Sequence, residues 1–220
     1  MSVHTIPVGA PGSGIDVVVF DYGNVIYTWD AVGAVAGRVP LRDWREFVDT
    51  GEFARWNTLL DAGAPLEQVL DQLCATRPGR PEWPRMLRTY WDHFSDTKTG
   101  PVPGTAAVIE DLLRAEVPLY ALTNFNDVLF DATRHLSPLL DRFHGVVVSG
   151  REHLVKPDPA IYHLLLDRYG LTAERTLFVD DSAANVQGAR AVGMRAHRFT
   201  GAGTLRAVLI EQGLLPAPLD

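Results

Sequence analysis

Asp21, the pair Thr123-Asn124, Lys156 and the pair Asp180-Asp181 are the residues of this chain whose types could do chemistry together. Asp21 ends the apolar run Val17-Val18-Val19-Phe20. Thr123-Asn124 follows Leu119–Leu122, and Asp180-Asp181 follows Thr176–Val179. Three carboxylates brought close repel one another unless a cation sits among them. Hard oxygen ligands with room left for water suit Mg²⁺. A hydroxyl, an amide and a lysine are donors suited to an anion with several oxygens, such as a phosphate. A carboxylate held beside the metal and aimed at phosphorus can attack it and form an aspartyl-phosphate. The combined chemistry is metal-assisted phosphoryl transfer. Taken singly, each residue also has an ordinary reading: Asp21 in a turn, Thr123 as a cap, Lys156 on a solvated loop, and Asp180-Asp181 at a helix start that favours anions.

These residues need a scaffold that gathers strand ends. Val17–Phe20 is β-branched and apolar, the mark of a buried strand, and Gly23 lets the chain turn after Asp21. From Thr105 onward, helical and strand patterns alternate. Helices are expected at Thr105–Glu116, Asp127–Leu136, from Pro159, Ala183–Val192 and Thr204–Gln212. Strands are expected at Pro118–Leu122, Gly145–Val148, Thr176–Val179 and Met194–Phe199. Asp158 suits an N-cap with Pro159 in the first turn, and Gly193 suits a helix stop. Strands joined through helices pair in parallel with right-handed crossovers, so the fold class is α/β, a doubly wound, Rossmann-like sheet. Ligands gather at the carboxyl ends of such strands, where Asp21 stands.

Between these parts lies a block with apolar residues at helical spacing: Leu41–Asp49, Glu52–Asp61, Pro65–Ala75 and Glu82–Phe94. No strand pattern is evident from Thr28 to Gly100, and Ile26–Val39 reads as a loop entering a short helix. Four of the five tryptophans (Trp44, Trp56, Trp83, Trp91) fall in this block and read as its small core. The expected organisation is a loose tail at 1–14, an α/β core of 15–29 and 102–220, and an inserted helical cap of 30–101. Hinges are expected near Thr28–Asp30 and Thr97–Pro103. With 220 residues and a formal charge of −7, neither nucleic acid nor an anionic membrane is an expected partner. The single cysteine, Cys74, excludes an internal disulfide framework and reads as a packed thiol in a helix. No apolar run reaches spanning length and no secretory pattern opens the chain, so a cytoplasmic monomer or homodimer is expected.

Phe20-Asp21-Tyr22-Gly23-Asn24-Val25, Leu122-Thr123-Asn124, Lys156-Pro157-Asp158-Pro159 and Phe178-Val179-Asp180-Asp181-Ser182 with Asn185 resemble, in order, the four motifs of the haloacid dehalogenase-like hydrolase superfamily. The resemblance runs from about Val17 to Phe199, with the helical block in the place of that family's mobile cap. It implies that Asp21 is the nucleophile and a metal ligand, that Gly23 lends a backbone carbonyl to Mg²⁺, and that Thr123 donates to the phosphate. It further implies that Lys156 balances charge, that Asp181 ligates the metal, and that Asp180 holds a metal-bound water. Asn24, Asn124 and Asn185 are expected around the phosphate.

One position departs from the phosphatase pattern. Most members carry a second Asp two residues after the nucleophile as general acid and base, and here that residue is Gly23. The motif Asp-x-Gly-Asn-Val resembles a branch that includes glucose-1-phosphate phosphatases. The same absence is a habit of 2-haloacid dehalogenases, which need no metal. The expected function is therefore a Mg²⁺-dependent phosphatase of a small phosphorylated metabolite, with a sugar phosphate as one substrate. A 2-haloacid dehalogenase and a non-catalytic binding protein are the alternatives. Asp30 is the nearest acidic residue downstream of Asp21. It is either the replacement acid or the cap of a helix; without any acid, the substrate needs a good leaving group such as an anomeric phosphate.

Overall fold

The structure, a computed structural model, describes residues 14–217. Apart from Gly14, the tail expected at 1–14 lies outside the described residues. The chain runs β1 (Val17–Phe20), β2 (Tyr27–Trp29), α1 (Ala31–Val35), α2 (Leu41–Asp49), α3 (Glu52–Asp61), α4 (Leu66–Thr76), α5 (Glu82–Asp92) and β3 (Lys98–Pro101). It continues through α6 (Thr105–Arg114), β4 (Leu119–Thr123), α7 (Asp127–Thr133), β5 (Gly145–Val148), α8 (Ser149–Glu152) and α9 (Pro159–Tyr169). β6 (Thr176–Asp180), α10 (Ala183–Ala191), β7 (Arg195–Arg198) and α11 (Ala202–Glu211) complete it.

Five strands form one parallel sheet in the order β5-β4-β1-β6-β7. β1 lies at its centre and every residue of it is buried. Its alternate residues serve two cores. Val18 and Phe20 face a cluster that includes Ile109 and Leu112 of α6 and Leu205 and Leu209 of α11. Val17 and Val19 face Ile161 and Leu165 of α9 and Ala189 of α10. Helices thus cover both faces, as a sheet with no polar side requires. Asp158 caps α9 by accepting from the Ala160 N–H at 2.8 Å, with Pro159 as the first helical residue. Gly193, at φ +88°, ends the turn after α10 in a conformation that favours glycine.

The insert from α1 to α5 is helical and built around aromatic rings. Trp44 packs on Phe53 and Phe47 at centroid separations of 4.8 and 5.9 Å, and Tyr90 stands edge-on to Phe53 at 5.0 Å. Trp44, Trp56 and Trp83 are buried in this cluster, as their helical spacing suggests, and Trp91 is partly buried. Its apolar residues and those of the α6 face of the sheet form one continuous cluster, joined through Phe94 and Phe125 with centroids 5.2 Å apart.

The structure corrects two expectations and decides between the two readings of Asp30. The stretches read as loose linkers at the root of the insert are two short strands. β2 and β3 pair antiparallel, Tyr27 with Pro101 and Thr28 with Gly100, with a register shift at Thr28/Trp29. β2 is only three residues long and β3 contains Gly100 and Pro101, so neither offers a strand pattern to read. Cys74 is exposed, because it falls on the outer side of α4, whose inner side is Val69, Leu70 and Leu73. Asp30 is exposed and accepts from the Val32 N–H at 2.9 Å, capping α1. It is not among the residues lining the cleft described below.

Candidate active site

The parallel sheet places Asp21, Thr123 and Asp180 at the carboxyl ends of β1, β4 and β6, which are neighbours. The segment between α8 and α9 brings in Lys156. Its ammonium lies 2.8 Å from Asp21 Oδ1 and 2.7 Å from Asp180 Oδ2, and it donates to the Leu122 carbonyl at 2.9 Å. All three donor positions of this buried amine are used. Oxygens of Asp21, Asp180 and Asp181 lie within 4.8 Å of one another. One cation thus faces three carboxylates. Burial pushes the Asp21 carboxyl up to about 7, and Asp180 adds to this against the pull of Lys156. Burial would push Lys156 down, but Asp21 and Asp180 hold it above its ordinary value. Burial and Asp180 likewise raise Asp181. The donor set is all hard oxygen and short of positive charge, so it fits a divalent cation such as Mg²⁺.

The asparagines expected at the phosphate also hold the protein's own groups in place. Asn124 donates to the Lys156 carbonyl at 2.9 Å and accepts from the Lys156 N–H at 2.8 Å, which pins the lysine's backbone. Asn185 donates to both Asp180 oxygens at 3.1 Å, and the Ser182 N–H adds a 2.8 Å bond to Asp180. Asn24, at φ +56°, accepts from the Trp29 N–H at 3.0 Å, and its side chain hydrogen-bonds Asp181. These bonds fix the lysine and the acidic pair, and all three asparagines also line the cleft described next.

A cleft, partly open to solvent, lies over these groups. Asp21, Gly23, Asn24, Thr123, Asn124, Lys156, Asp181 and Asn185 line its floor. Asp180 sits behind them, fully buried. The insert and its root supply the opposite wall: Trp29, Asn57, Asp61, Tyr90, Phe94 and Lys98. Lys98 donates to the Tyr22 hydroxyl at 2.8 Å and lies 4.7 Å from the centre of that ring. Burial lowers its amine to about 8, with Arg134 contributing. Burial raises Asp61 to about 7. No reading of the sequence had placed Asp61 or Lys98 at the site. Their only local signal is an acid before the Ala62-Gly63-Ala64 break and a lysine in the return segment.

Residues 15–193 match the haloacid dehalogenase-like hydrolase family. The sesquiterpene phosphatase AstK of Aspergillus oryzae is 27% identical over 188 residues, covering 80% of this chain and 85% of that protein. (S)-2-haloacid dehalogenase 4A of Burkholderia cepacia is 28% identical over 195 residues, covering 83% and 78%. Among solved structures, the HAD family enzyme BT-2542 of Bacteroides thetaiotaomicron superposes with a TM-score of 0.69 at 18% identity, covering 89% of this chain and 98% of that one. A form of the same enzyme holding magnesium and inorganic phosphate gives a TM-score of 0.59 at 19% identity over 85% and 95%. Among the described residues, no helix is long and apolar enough to cross a membrane. With the family matched over most of its length, the chain belongs to the haloacid dehalogenase-like hydrolases and is an enzyme of the hydrolase class.

Proposed function

We propose that the chain is a Mg²⁺-dependent phosphatase of small phosphorylated metabolites, working as a core of 15–29 and 102–220 under a cap of 30–101. The observation that carries this reading is the oxygen cluster of Asp21, Asp180 and Asp181 served by one lysine. Asp21, Asp181 and the Gly23 carbonyl would hold Mg²⁺, with Asp180 acting through water, since its oxygens already accept from Lys156, Ser182 and Asn185. When bound, Mg²⁺ supplies the charge that lets the carboxylates stay ionised together and that offsets the phosphate's own.

The chain's residues do the remainder. Asp21 attacks phosphorus from the floor of the cleft, and the ester oxygen departs toward the cap. Lys156 holds the nucleophile's orientation through its bond to Oδ1 and balances charge as the phosphoryl group arrives. Thr123, at the end of β4, donates to a phosphoryl oxygen. Water then hydrolyses the aspartyl-phosphate and frees Asp21. Tyr27, Trp29, Tyr90 and Phe94 give the leaving-group side an aromatic wall, with Asn57 and Lys98 as polar groups. A phosphorylated metabolite carrying a ring, a sugar phosphate among them, suits that wall.

The likeness to a 2-haloacid dehalogenase supports a second reading, in which Asp21 attacks carbon. The acidic pair argues against it, because two more carboxylates without a metal would oppose an anionic nucleophile. Release of phosphate from p-nitrophenyl phosphate and a panel of phosphorylated metabolites, with and without EDTA, separates the two. The expected result is turnover that needs Mg²⁺ and falls to background in Asp21→Asn. Metal-independent release of halide from 2-haloacids would overturn the phosphatase reading.

A further inference from the structure

We propose that Asp61, carried by the cap helix α3, donates the proton to the leaving oxygen in place of the side chain missing at residue 23. The inference rests on the phosphatase reading above. At Gly23 the backbone lies outside the left-handed region, and a Cβ built there meets nothing within 4 Å. No steric need reserves that position for glycine, so the core lacks an acid there although it has room for one. Three acidic residues line the cleft: Asp21, Asp61 and Asp181. Asp21 and Asp181 belong to the oxygen cluster that would hold the metal. Asp61 alone among the described lining acids stands outside it, on the wall that the departing group meets.

Its position is fixed from both sides of the cleft. The carbonyls of Leu60, Asp61 and Ala62 at the end of α3 accept from three core side chains: Asn126 Nδ2 at 2.8 Å, Ser149 Oγ at 2.6 Å and His153 Nδ1 at 3.0 Å. Leu60 O also accepts from the Gly63 N–H at 2.8 Å, whereas the Asp61 and Ala62 carbonyls would otherwise lie at a helix terminus without intrahelical partners. Next to them, a Cβ at Gly63 would stand 2.2 Å from the Gly150 carbonyl, so the two backbones touch. Asn57 Nδ2 donates to Asp61 Oδ2 at 2.9 Å, which holds the carboxyl in the cleft wall. Burial and the Asp21 charge favour a proton there, while the Asn126 backbone N–H and Lys156 oppose it, and the carboxyl titrates near 7. The other titratable group facing it is Tyr90 of α5.

In the first step Asp21 Oδ–P forms and P–O(ester) breaks, and the Asp61 proton goes to the departing alkoxide, giving an alcohol. In the second, water O–P forms and Asp21 Oδ–P breaks, and the water's proton returns to Asp61. Atoms, charge and protons balance over the two steps.

The test compares kcat/KM, which reports the first step, for p-nitrophenyl phosphate and for the phosphate of a simple alcohol, with Mg²⁺ present. Alkoxide needs the proton and p-nitrophenolate does not. Asp61→Asn should lose about 10²- to 10⁴-fold on the alkyl ester and less than about tenfold on the aryl ester. Adding Gly23→Asp to that variant should recover alkyl turnover. In the unmodified enzyme, alkyl kcat/KM should fall above about pH 7, where the aryl value stays flat. Equal losses on both esters, or identical pH profiles for both in the unmodified enzyme, would overturn the role of Asp61. An unmodified enzyme that hydrolyses neither ester overturns the phosphatase reading itself.

Discussion

Asp61 and Lys156 show how differently a buried site treats its charges. Lys156 is charged because two carboxylates touch it, whereas the Asp61 carboxyl is met only by uncharged donors among the described residues, the Asn57 amide and the Asn126 backbone N–H. The folded-state value of about 7 for Asp61 lies above the ordinary 3.8, so the native chain keeps a proton that the unfolded chain releases between these values. Native stability is therefore lost as pH rises through that window and is level outside it. Asp61→Asn removes this slope. Its stability relative to the parent should rise by about 1–3 kcal/mol from pH 4 to 7, as read by urea denaturation in EDTA at several pH values. A constant difference across that range would show that Asp61 ionises normally. Asp21, Thr123, Lys156 and the acidic pair were legible in the sequence because each follows a strand or precedes a helix with a strong local pattern. The bond of Asn124 was not, because its partner, Lys156, is delivered by a segment thirty-two residues away.

At the scale of elements, the longer helices and the core strands were legible to within a few residues, since each carries its own periodicity, whereas the four-residue α8 was too short to carry one. The ribbon of β2 and β3 was not, for it exists only as a pair: Asp30 N–H donates to Thr97 O at 2.9 Å and Val102 N–H to Ile26 O at 3.0 Å. We propose that this ribbon is the cap's hinge and that the end of α3 is its latch. Ser149→Ala removes one latch bond and leaves the Asp61 carbonyl and the Phe125 N–H without their partner. It should cost about 1–3 kcal/mol of stability. It should also lower kcat/KM on bulky esters more than on p-nitrophenyl phosphate. Equal protection of the α3 amides from hydrogen exchange in this variant and the parent would count against the latch.

For the molecule as a whole, the sequence suggests two bodies and gives no sign of their joint core. Apolar residues of the insert and of one sheet face form a single cluster, with Phe94 and Phe125 at the junction. This continuity depends on which faces meet, and periodicity within one segment carries no such information. Trp44, buried among Phe47, Phe53 and Tyr90, is central to the insert's share of it. Trp44→Ala should destabilise the protein by about 3–5 kcal/mol. The loss should appear as one cooperative unfolding transition, seen equally by near-UV circular dichroism and by loss of activity. An early partial transition of the insert alone would mean that the shared cluster does not couple the two bodies.

The contact of Gly63 with the Gly150 backbone makes the site an interlock. The helix end that seats the cap is the one that bears Asp61, so lifting the cap withdraws the acid from the nucleophile in the same motion. A methyl group at residue 63 would wedge the seat ajar and draw Asp61 back without changing any site residue. Such a chain would keep its aspartate and its lysine, yet be primed only for esters that leave unaided.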